Sequence, residues 1–201
     1  MSKSISTIIF DVGGVLIQID GVYALSQLLD GAQTTDEIQR LWISSPSVRA
    51  HETGKISAEE FSIGVVSDLR LKIPPKQFLA DFVNWVSRPF PGTFELLDAL
   101  PQELTIAALS NTSATHWERI RSIGLAEKFD QVYLSHEIGH LKPDVEPFEI
   151  ALLGLGTPAD EVVFLDDSLD NVETALSMGL KARRVESATH AREVLSEYGL
   201  F

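Results

Sequence analysis

Acidic side chains follow two apolar runs of the chain. The run at 6–10 ends at Asp11, and the run at 161–165 ends at the neighbouring acids Asp166 and Asp167. Three carboxylates brought together would repel one another unless a cation or a proton lay between them. Oxygen ligands without Cys or His favour a hard ion such as Mg²⁺, which commonly shares its ligands with a substrate phosphate. These acids therefore predict a Mg²⁺ site, and a carboxylate among them can act as a covalent nucleophile.

Groups that could hold phosphoryl oxygens stand at the ends of other patterned segments. Ser110 and Asn111 follow the apolar run 104–109, and Lys142 precedes a helical pattern. A fixed positive charge and several hydrogen-bond donors suit the charge that develops during phosphoryl transfer. Each group alone has an ordinary explanation, such as a helix cap or a solvated lysine, but the whole set in this order favours a site. The candidate donors are the side chains of Ser110 and Lys142 and the backbone amides of Val12, Gly13 and Asn111.

Alternating strand and helix patterns must position these groups. Mainly apolar segments predict strands at 6–10, 104–109, 131–134 and 161–165, the stretch 181–185 resembles a last strand, and helical patterns separate the last four. Such alternation predicts an α/β fold with a parallel sheet. Right-handed crossovers bring the carboxyl ends of parallel strands to one edge, where ligands bind in such folds. We therefore expect the acids and the donors to meet at that edge.

The stretch between residues 19 and 88 has a different pattern. Its apolar residues recur at helical spacing as far as Val86, a capping box begins at Ser57, and no strand pattern interrupts it. An insertion of roughly 70 residues is within the size range of a small domain. We expect an α/β core formed by 1–17 and 88–201 and an all-helical cap formed by 18–87, with hinges near 17–20 and 87–91.

Composition narrows the class of protein. The 201 residues include 29 acidic and 16 basic side chains, so the formal net charge is −13, which argues against a nucleic-acid or anionic-membrane partner. The chain has no Cys, which excludes disulfides and thiolate sites. No apolar run approaches the roughly 20 residues of a membrane span, and the N-terminus lacks a signal-peptide pattern. We expect a cytoplasmic protein, monomeric or homodimeric, whose partner is a small phosphorylated metabolite.

Four motifs together resemble the haloacid dehalogenase (HAD) superfamily: FDVGGV at 10–15, LSN at 109–111, KPD at 142–144 and FLDDS at 164–168. The resemblance covers essentially the whole chain and implies a Rossmann-like core with a helical cap inserted after the first strand. It implies that Asp11 attacks phosphorus to form an aspartyl-phosphate. It also implies roles for the other candidates: Asp11, the carbonyl of Gly13 and Asp167 hold Mg²⁺, Asp166 and Asn171 support the metal, and Ser110 and Lys142 bind phosphoryl oxygens.

One position departs from the family pattern. Most HAD phosphatases carry a second Asp two residues after the nucleophile as general acid and base, and this chain has Gly13 there. The pattern Asp-x-Gly-x-Val, with Ser-x-Glu-Glu-Phe at 57–61, is similar to the bacterial branch that includes α-glucose-1-phosphate phosphatases, which keep activity with Gly at this position. We hypothesise that a residue of the cap, His51 or Glu52, supplies the proton instead, and of the two we select His51 as the candidate.

The leading interpretation is a Mg²⁺-dependent phosphatase of a small phosphorylated metabolite, which the branch resemblance suggests is a sugar phosphate. Two alternatives stay open. A 2-haloacid dehalogenase uses the same nucleophile on carbon and also lacks the second Asp, but it needs no metal and lacks the paired acids seen at Asp166 and Asp167. A catalytically weak phosphate-binding or regulatory protein would explain the loss of the second Asp, although the other motif residues are all retained.

Overall fold

The computed structural model describes residues 4–29, 31 and 33–201. Within that part of the chain there are seven strands: β1 (Thr7–Phe10), β2 (Ile17–Ile19), β3 (Val86–Pro89), β4 (Thr105–Ser110), β5 (Gln131–Leu134), β6 (Val162–Asp166) and β7 (Lys181–Arg184). The α-helices are α1 (Gly21–Leu28), α2 (Thr35–Ser44), α3 (Pro46–Glu52), α4 (Ala58–Asp68), α5 (Pro75–Phe82), α6 (Thr93–Asp98), α7 (Ala114–Ser122), α8 (Ser135–Ile138), α9 (Glu146–Leu155), α10 (Leu169–Ser177) and α11 (Ala188–Glu197). None of the described helices has the length and apolar character needed to cross a membrane.

Five strands form one parallel sheet in the order β5-β4-β1-β6-β7, which confirms the predicted α/β fold with a Rossmann-like core. The central strand β1 is buried along its whole length. In the sheet, Phe10 lies beside Ala108 of β4 and Leu165 of β6. This register brings the carboxyl ends of the three neighbouring strands together, and those ends bear Asp11, Ser110 and Asp166.

Two apolar clusters cover the two faces of the sheet. Successive side chains of a strand point to opposite faces. Accordingly Ile8 and Phe10 belong to one cluster, whereas Ile9 packs with Phe148 and Phe164 in the other. Because both faces are buried, the strands need the near-continuous apolar runs from which they were predicted.

The segment between β2 and β3 consists of helices α1 to α5 and one turn of 3₁₀ helix. It has an apolar cluster of its own, which includes Phe61, Phe78 and Phe82. The predicted capping box is present, since the Ser57 hydroxyl accepts from the Glu60 amide and the Glu60 carboxylate accepts from the Ser57 amide. The division into a core and a cap with the stated boundaries remains our proposal.

The prediction of helix through Val86 was wrong. Helix α5 ends at Phe82, and the chain then forms β3, which pairs antiparallel with β2, with Ile17 opposite Pro89 and Ile19 opposite Val86. A β-branched residue and a proline that lacks an N–H both suit such a two-stranded ribbon. The ribbon therefore occupies the two connections that were expected to be hinges.

Candidate active site

Asp11 leaves the sheet at the end of β1 with its backbone fixed. Its amide donates to the carbonyl of Leu165 over 2.8 Å, and the residue is 8% exposed. The Asp11 carboxylate accepts from Lys142 Nζ at 2.9 Å. Burial raises the pKa of Asp11, and the charge of Lys142 opposes that rise. The carboxylate is thus held in one place, mostly out of water, at the centre of the sheet edge.

The Lys142 ammonium group contacts three oxygen atoms at this edge of the sheet. Its Nζ lies 2.9 Å from Asp11 Oδ1, 2.6 Å from Asp166 Oδ2 and 2.8 Å from the Leu109 carbonyl oxygen. Burial opposes the charged form, but the carboxylates of Asp11 and Asp166 outweigh burial and raise the pKa of Lys142. The ammonium group is therefore charged at every pH at which the protein would work.

Asp166 and Asp167 have different surroundings although they are adjacent. Asp166 is fully buried and accepts from Lys142 Nζ, from the Ser168 amide at 2.8 Å and from Asn171 Nδ2 at 3.0 Å. Asp167 is the more exposed of the two, and burial together with the charge of Asp166 raises its pKa. Asp166 is thus occupied in positioning Lys142 and Asn171, whereas Asp167 is freer to take a ligand.

The acids form one cluster, as the sequence predicted. Asp11, Asp166 and Asp167 each offer an oxygen atom, and these atoms lie within 4.8 Å of one another. An oxygen-only donor set of this size fits Mg²⁺. Gly14 has a φ of +78°, and a Cβ placed on it would collide with the carboxylate of Asp167. Glycine at position 14 therefore leaves the space that the Asp167 carboxylate occupies in this cluster.

We expect Gly14→Ala to weaken Mg²⁺ binding by about 10- to 100-fold. This is the usual loss of metal affinity when the surroundings that position a metal ligand are changed. The new methyl group would displace the Asp167 carboxylate. Isothermal titration of the protein with Mg²⁺ alone measures the effect. Gly139→Ala is the matched control, because Gly139 has a similar φ of +77° but no atom within 4 Å of the place that its new Cβ would take. Equal Mg²⁺ affinity in the two variants would contradict the prediction.

Ser110 and Asn111 end β4 beside these acids. Ser110 is buried and borders the same cavity as Asp11. The Asn111 side chain forms two hydrogen bonds with the backbone of Lys142: its Nδ2 donates to the carbonyl at 2.8 Å, and its Oδ1 accepts from the amide at 2.9 Å. The sequence pattern indicated only the backbone amide of Asn111 as a donor, whereas in the structure its side chain positions Lys142.

A cavity of about 1030 Å³ opens between the sheet edge and the inserted helices. Its floor contains Asp11, Gly13, Ser110, Lys142 and Asp167. Val12, the remaining predicted donor, is fully buried beside this floor. Nearly all of the predicted site residues are thus brought together at one end of the cavity, and the opposite side comes from the segment between β2 and β3.

The two cap candidates for proton transfer have different positions. His51 packs inside the helical cluster, with its ring stacked on Phe61 at 4.2 Å between centroids and Nδ1 3.4 Å from the Ile56 carbonyl oxygen. It is not among the residues that line the cavity, but Glu52 is. Burial raises the pKa of Glu52 to about 7, against the effect of a hydrogen bond with Trp42. The geometry therefore favours Glu52 over His51.

His116 is a further cavity residue, and it links the core to the inserted segment. Its ring stacks on Phe82 with centroids 4.0 Å apart, and its Nε2 donates to the Phe82 carbonyl at 2.8 Å. Burial lowers the pKa of His116 to about 4, so the imidazole is neutral near pH 7. The contact joins α7 to the end of α5 without placing a charge in the cavity.

Known proteins are similar to this chain in sequence. A chain named D-ribitol-5-phosphate phosphatase, from Bacteroides thetaiotaomicron, is 27% identical over 203 residues, covering 96% of this chain and 97% of that protein. Sesquiterpene phosphatase astK from Aspergillus oryzae is 27% identical over 184 residues, covering 90% and 89%. A shorter match, 37% identical over 82 residues, spans only 15% of the relative concerned.

A solved structure has the same fold. The magnesium complex of HAD family enzyme bt-2542 from Bacteroides thetaiotaomicron superposes with a TM-score of 0.74 at 25% identity, covering 92% of this chain and 94% of that one. The family model of haloacid dehalogenase-like hydrolases matches residues 5–179, which include all four motifs and every residue of the acidic cluster. The chain belongs to the haloacid dehalogenase-like hydrolase family.

Proposed function

We propose that the protein is a Mg²⁺-dependent phosphatase that hydrolyses small phosphorylated metabolites through an aspartyl-phosphate on Asp11. The observation that carries the proposal is the Asp11 carboxylate itself, fixed by Lys142 at the floor of a cavity and beside two further acids. Two relatives that match most of the chain are named phosphatases, which supports the proposal. The magnesium complex of a family member supports the choice of metal.

The chemistry proceeds in two steps. A carboxylate oxygen of Asp11 attacks phosphorus while the bond to the ester oxygen breaks, and the leaving oxygen takes a proton from an acid in the cavity. The conjugate base of that acid then takes a proton from water, whose oxygen attacks phosphorus, releasing phosphate and restoring the Asp11 carboxylate. We propose that the side chains of Ser110 and Lys142 and the backbone amides of Val12, Gly13 and Asn111 hold the phosphoryl oxygens.

Mg²⁺ would neutralise the charge of the phosphoryl oxygens and the acids. We propose that Asp11, Asp167 and the Gly13 carbonyl hold it directly. Asp166 and Asn171 would support the metal site, since their side chains are hydrogen-bonded to each other.

We propose Glu52 as the acid and base that Gly13 cannot provide. Glu52 lines the same cavity as Asp11, and its pKa of about 7 gives it both protonation states near neutral pH. A general acid is most effective with a pKa near the working pH. His51 does not line the cavity, and burial lowers its pKa below the ordinary value.

Glu52→Gln is expected to lower kcat/KM for an alkyl phosphate by about 10²-fold, the lower end of the range for general acid–base catalysis. The loss should be much smaller for p-nitrophenyl phosphate, whose leaving group needs little protonation. In the unmodified enzyme kcat/KM should fall as the pH rises through about 7, because Glu52 loses its proton, and the variant should lack that decline. Steady-state kinetics between pH 5 and 9 measures both, with the exposed Glu59→Gln as control. A loss under about twofold, with the decline retained, would show that another group transfers the proton.

The proposed function is tested by phosphate release from p-nitrophenyl phosphate with Mg²⁺ and with EDTA. We expect release that requires the metal. Absence of release in Mg²⁺ would overturn the proposal, because this ester makes the least demand on an acid. Chloride release from 2-chloropropionate in the same preparation would then support the dehalogenase, and neither activity would support a binding protein.

A further inference from the structure

The wall of the cavity that faces the catalytic floor is largely apolar. Its apolar members from the inserted segment are Val22, Leu25, Ile38, Trp42, Ile43 and Trp85. The rings of Trp42 and Trp85 lie 5.2 Å apart, but Trp85 is 5% exposed, so the accessible aromatic surface is mainly that of the half-buried Trp42. Ile19, Val86 and Phe90 continue the apolar lining toward the floor. A substrate whose phosphoryl group lies on Asp11 must place the rest of its body against this wall.

The charges along the cavity exclude a second anionic group on the substrate. Among the described residues, Lys142 and Arg184 are the cations that line it. Lys142 is occupied at the floor, and Arg184 donates to the Asp167 carbonyl at 2.8 Å and pairs with Glu186 at 2.7 Å. The titratable groups that the segment between β2 and β3 contributes to the lining are Asp20 and Glu52, beside the neutral amide of Gln39. A carboxylate or second phosphate there would find no cation among the lining residues of that segment that the structure describes.

We propose that the natural substrate is a phosphate monoester of an apolar alcohol that bears no second anionic group. This inference rests on the proposed phosphatase function and narrows it. The two relatives named above differ in the polarity of their substrates, so sequence similarity alone does not identify the substrate class. The apolar residues of the cavity wall favour an apolar alcohol. The alcohol portion lies against Val22, Trp42 and Ile43 while the phosphoryl group occupies the floor.

Three six-carbon phosphate monoesters test the inference: n-hexyl phosphate, sorbitol 6-phosphate and 5-carboxypentyl phosphate. All are primary esters, so they differ mainly in what meets the wall. Each methylene removed from water increases affinity about fourfold. Burial of two or three methylenes should therefore make kcat/KM at least about tenfold higher for hexyl phosphate than for sorbitol 6-phosphate. The carboxylate of 5-carboxypentyl phosphate should lower kcat/KM by a larger factor than that.

Substitution of Ile43 tests whether this substrate preference depends on the apolar wall of the cavity. Ile43 is 75% exposed at the end of α2, so Ile43→Arg should leave folding intact while placing a cation at the cavity. We expect the ratio of kcat/KM for hexyl phosphate to that for 5-carboxypentyl phosphate to fall at least about tenfold, since an apolar contact is lost and an ion pair gained. Ile63→Arg is the matched control, because Ile63 is 61% exposed on α4 and does not line the cavity, and its ratio should be unchanged.

The outcomes separate this inference from the function on which it rests. If p-nitrophenyl phosphate is not hydrolysed, the phosphatase proposal and this inference both fail. If it is hydrolysed but sorbitol 6-phosphate or 5-carboxypentyl phosphate equals or exceeds hexyl phosphate, the function stands and the inference is overturned. An unchanged ratio in Ile43→Arg would likewise overturn it.

Discussion

Replacing Asp11 by Asn is expected to lower kcat for phosphate release by at least about 10⁴-fold, as removal of a covalent nucleophile does in other hydrolases. The amide has nearly the shape of the carboxylate but cannot form an acyl phosphate. Lys142 keeps its contacts with Asp166 and the Leu109 carbonyl, so the surrounding packing is retained. The loss should therefore reflect chemistry and not unfolding. Steady-state phosphate release with saturating substrate and Mg²⁺ gives the comparison.

The control for this variant is Asp144→Asn, which removes a carboxylate two residues from Lys142. Asp144 pairs with Arg49 at 3.3 Å on the surface, and exposed pairs of this kind contribute little. Its kcat should stay within about twofold of the parent value. Mass spectrometry of acid-quenched enzyme should find phosphate on the peptide that contains Asp11, and the Asp11→Asn protein should lack it. More than about 1% residual activity in Asp11→Asn would show that another group is the nucleophile.

The sheet and its acidic edge could be predicted because they depend on short-range patterns. Buried parallel strands need continuous apolar runs, and the chain direction alone determines at which end Asp11 and Asp166 fall. The cluster of acids then follows from the strand order, which places β1 between β4 and β6. No knowledge of side-chain packing is needed for this step.

The proton donor that we propose and the wall of the cavity could not be predicted in the same way. His51 and Glu52 are adjacent in the sequence, and the rotation of the short helix α3 decides which of them faces the cavity. That rotation depends on packing, as in the stacking of His51 on Phe61. The ribbon of β2 and β3 was missed because strands of three and four residues are too short for periodicity to reveal.

Lys142→Met is expected to lower kcat/KM by at least about 10³-fold and to reduce the free energy of unfolding by about 3–5 kcal/mol in the absence of metal. Methionine has a similar length but leaves the buried carboxylates of Asp11 and Asp166 without their cation. Urea denaturation in EDTA measures the stability. Lys128→Met is the matched control: Lys128 pairs with Asp98 at a more exposed position, so its loss should cost no more than about 1 kcal/mol.

The pH dependence of this destabilisation distinguishes lost charge pairing from lost packing. Burial already raises the pKa of Asp11 in the folded protein, and without the opposing charge of Lys142 it rises further above its unfolded value. A raised carboxyl pKa makes the folded protein bind more protons than the unfolded chain, so stability falls as the pH rises and is regained as the pH falls. The deficit of Lys142→Met should therefore be largest at pH 8 and smaller at pH 5, and adding Asp166→Asn should recover part of it without restoring activity. A deficit that is the same at both pH values would mean that Lys142 stabilises the fold through packing alone.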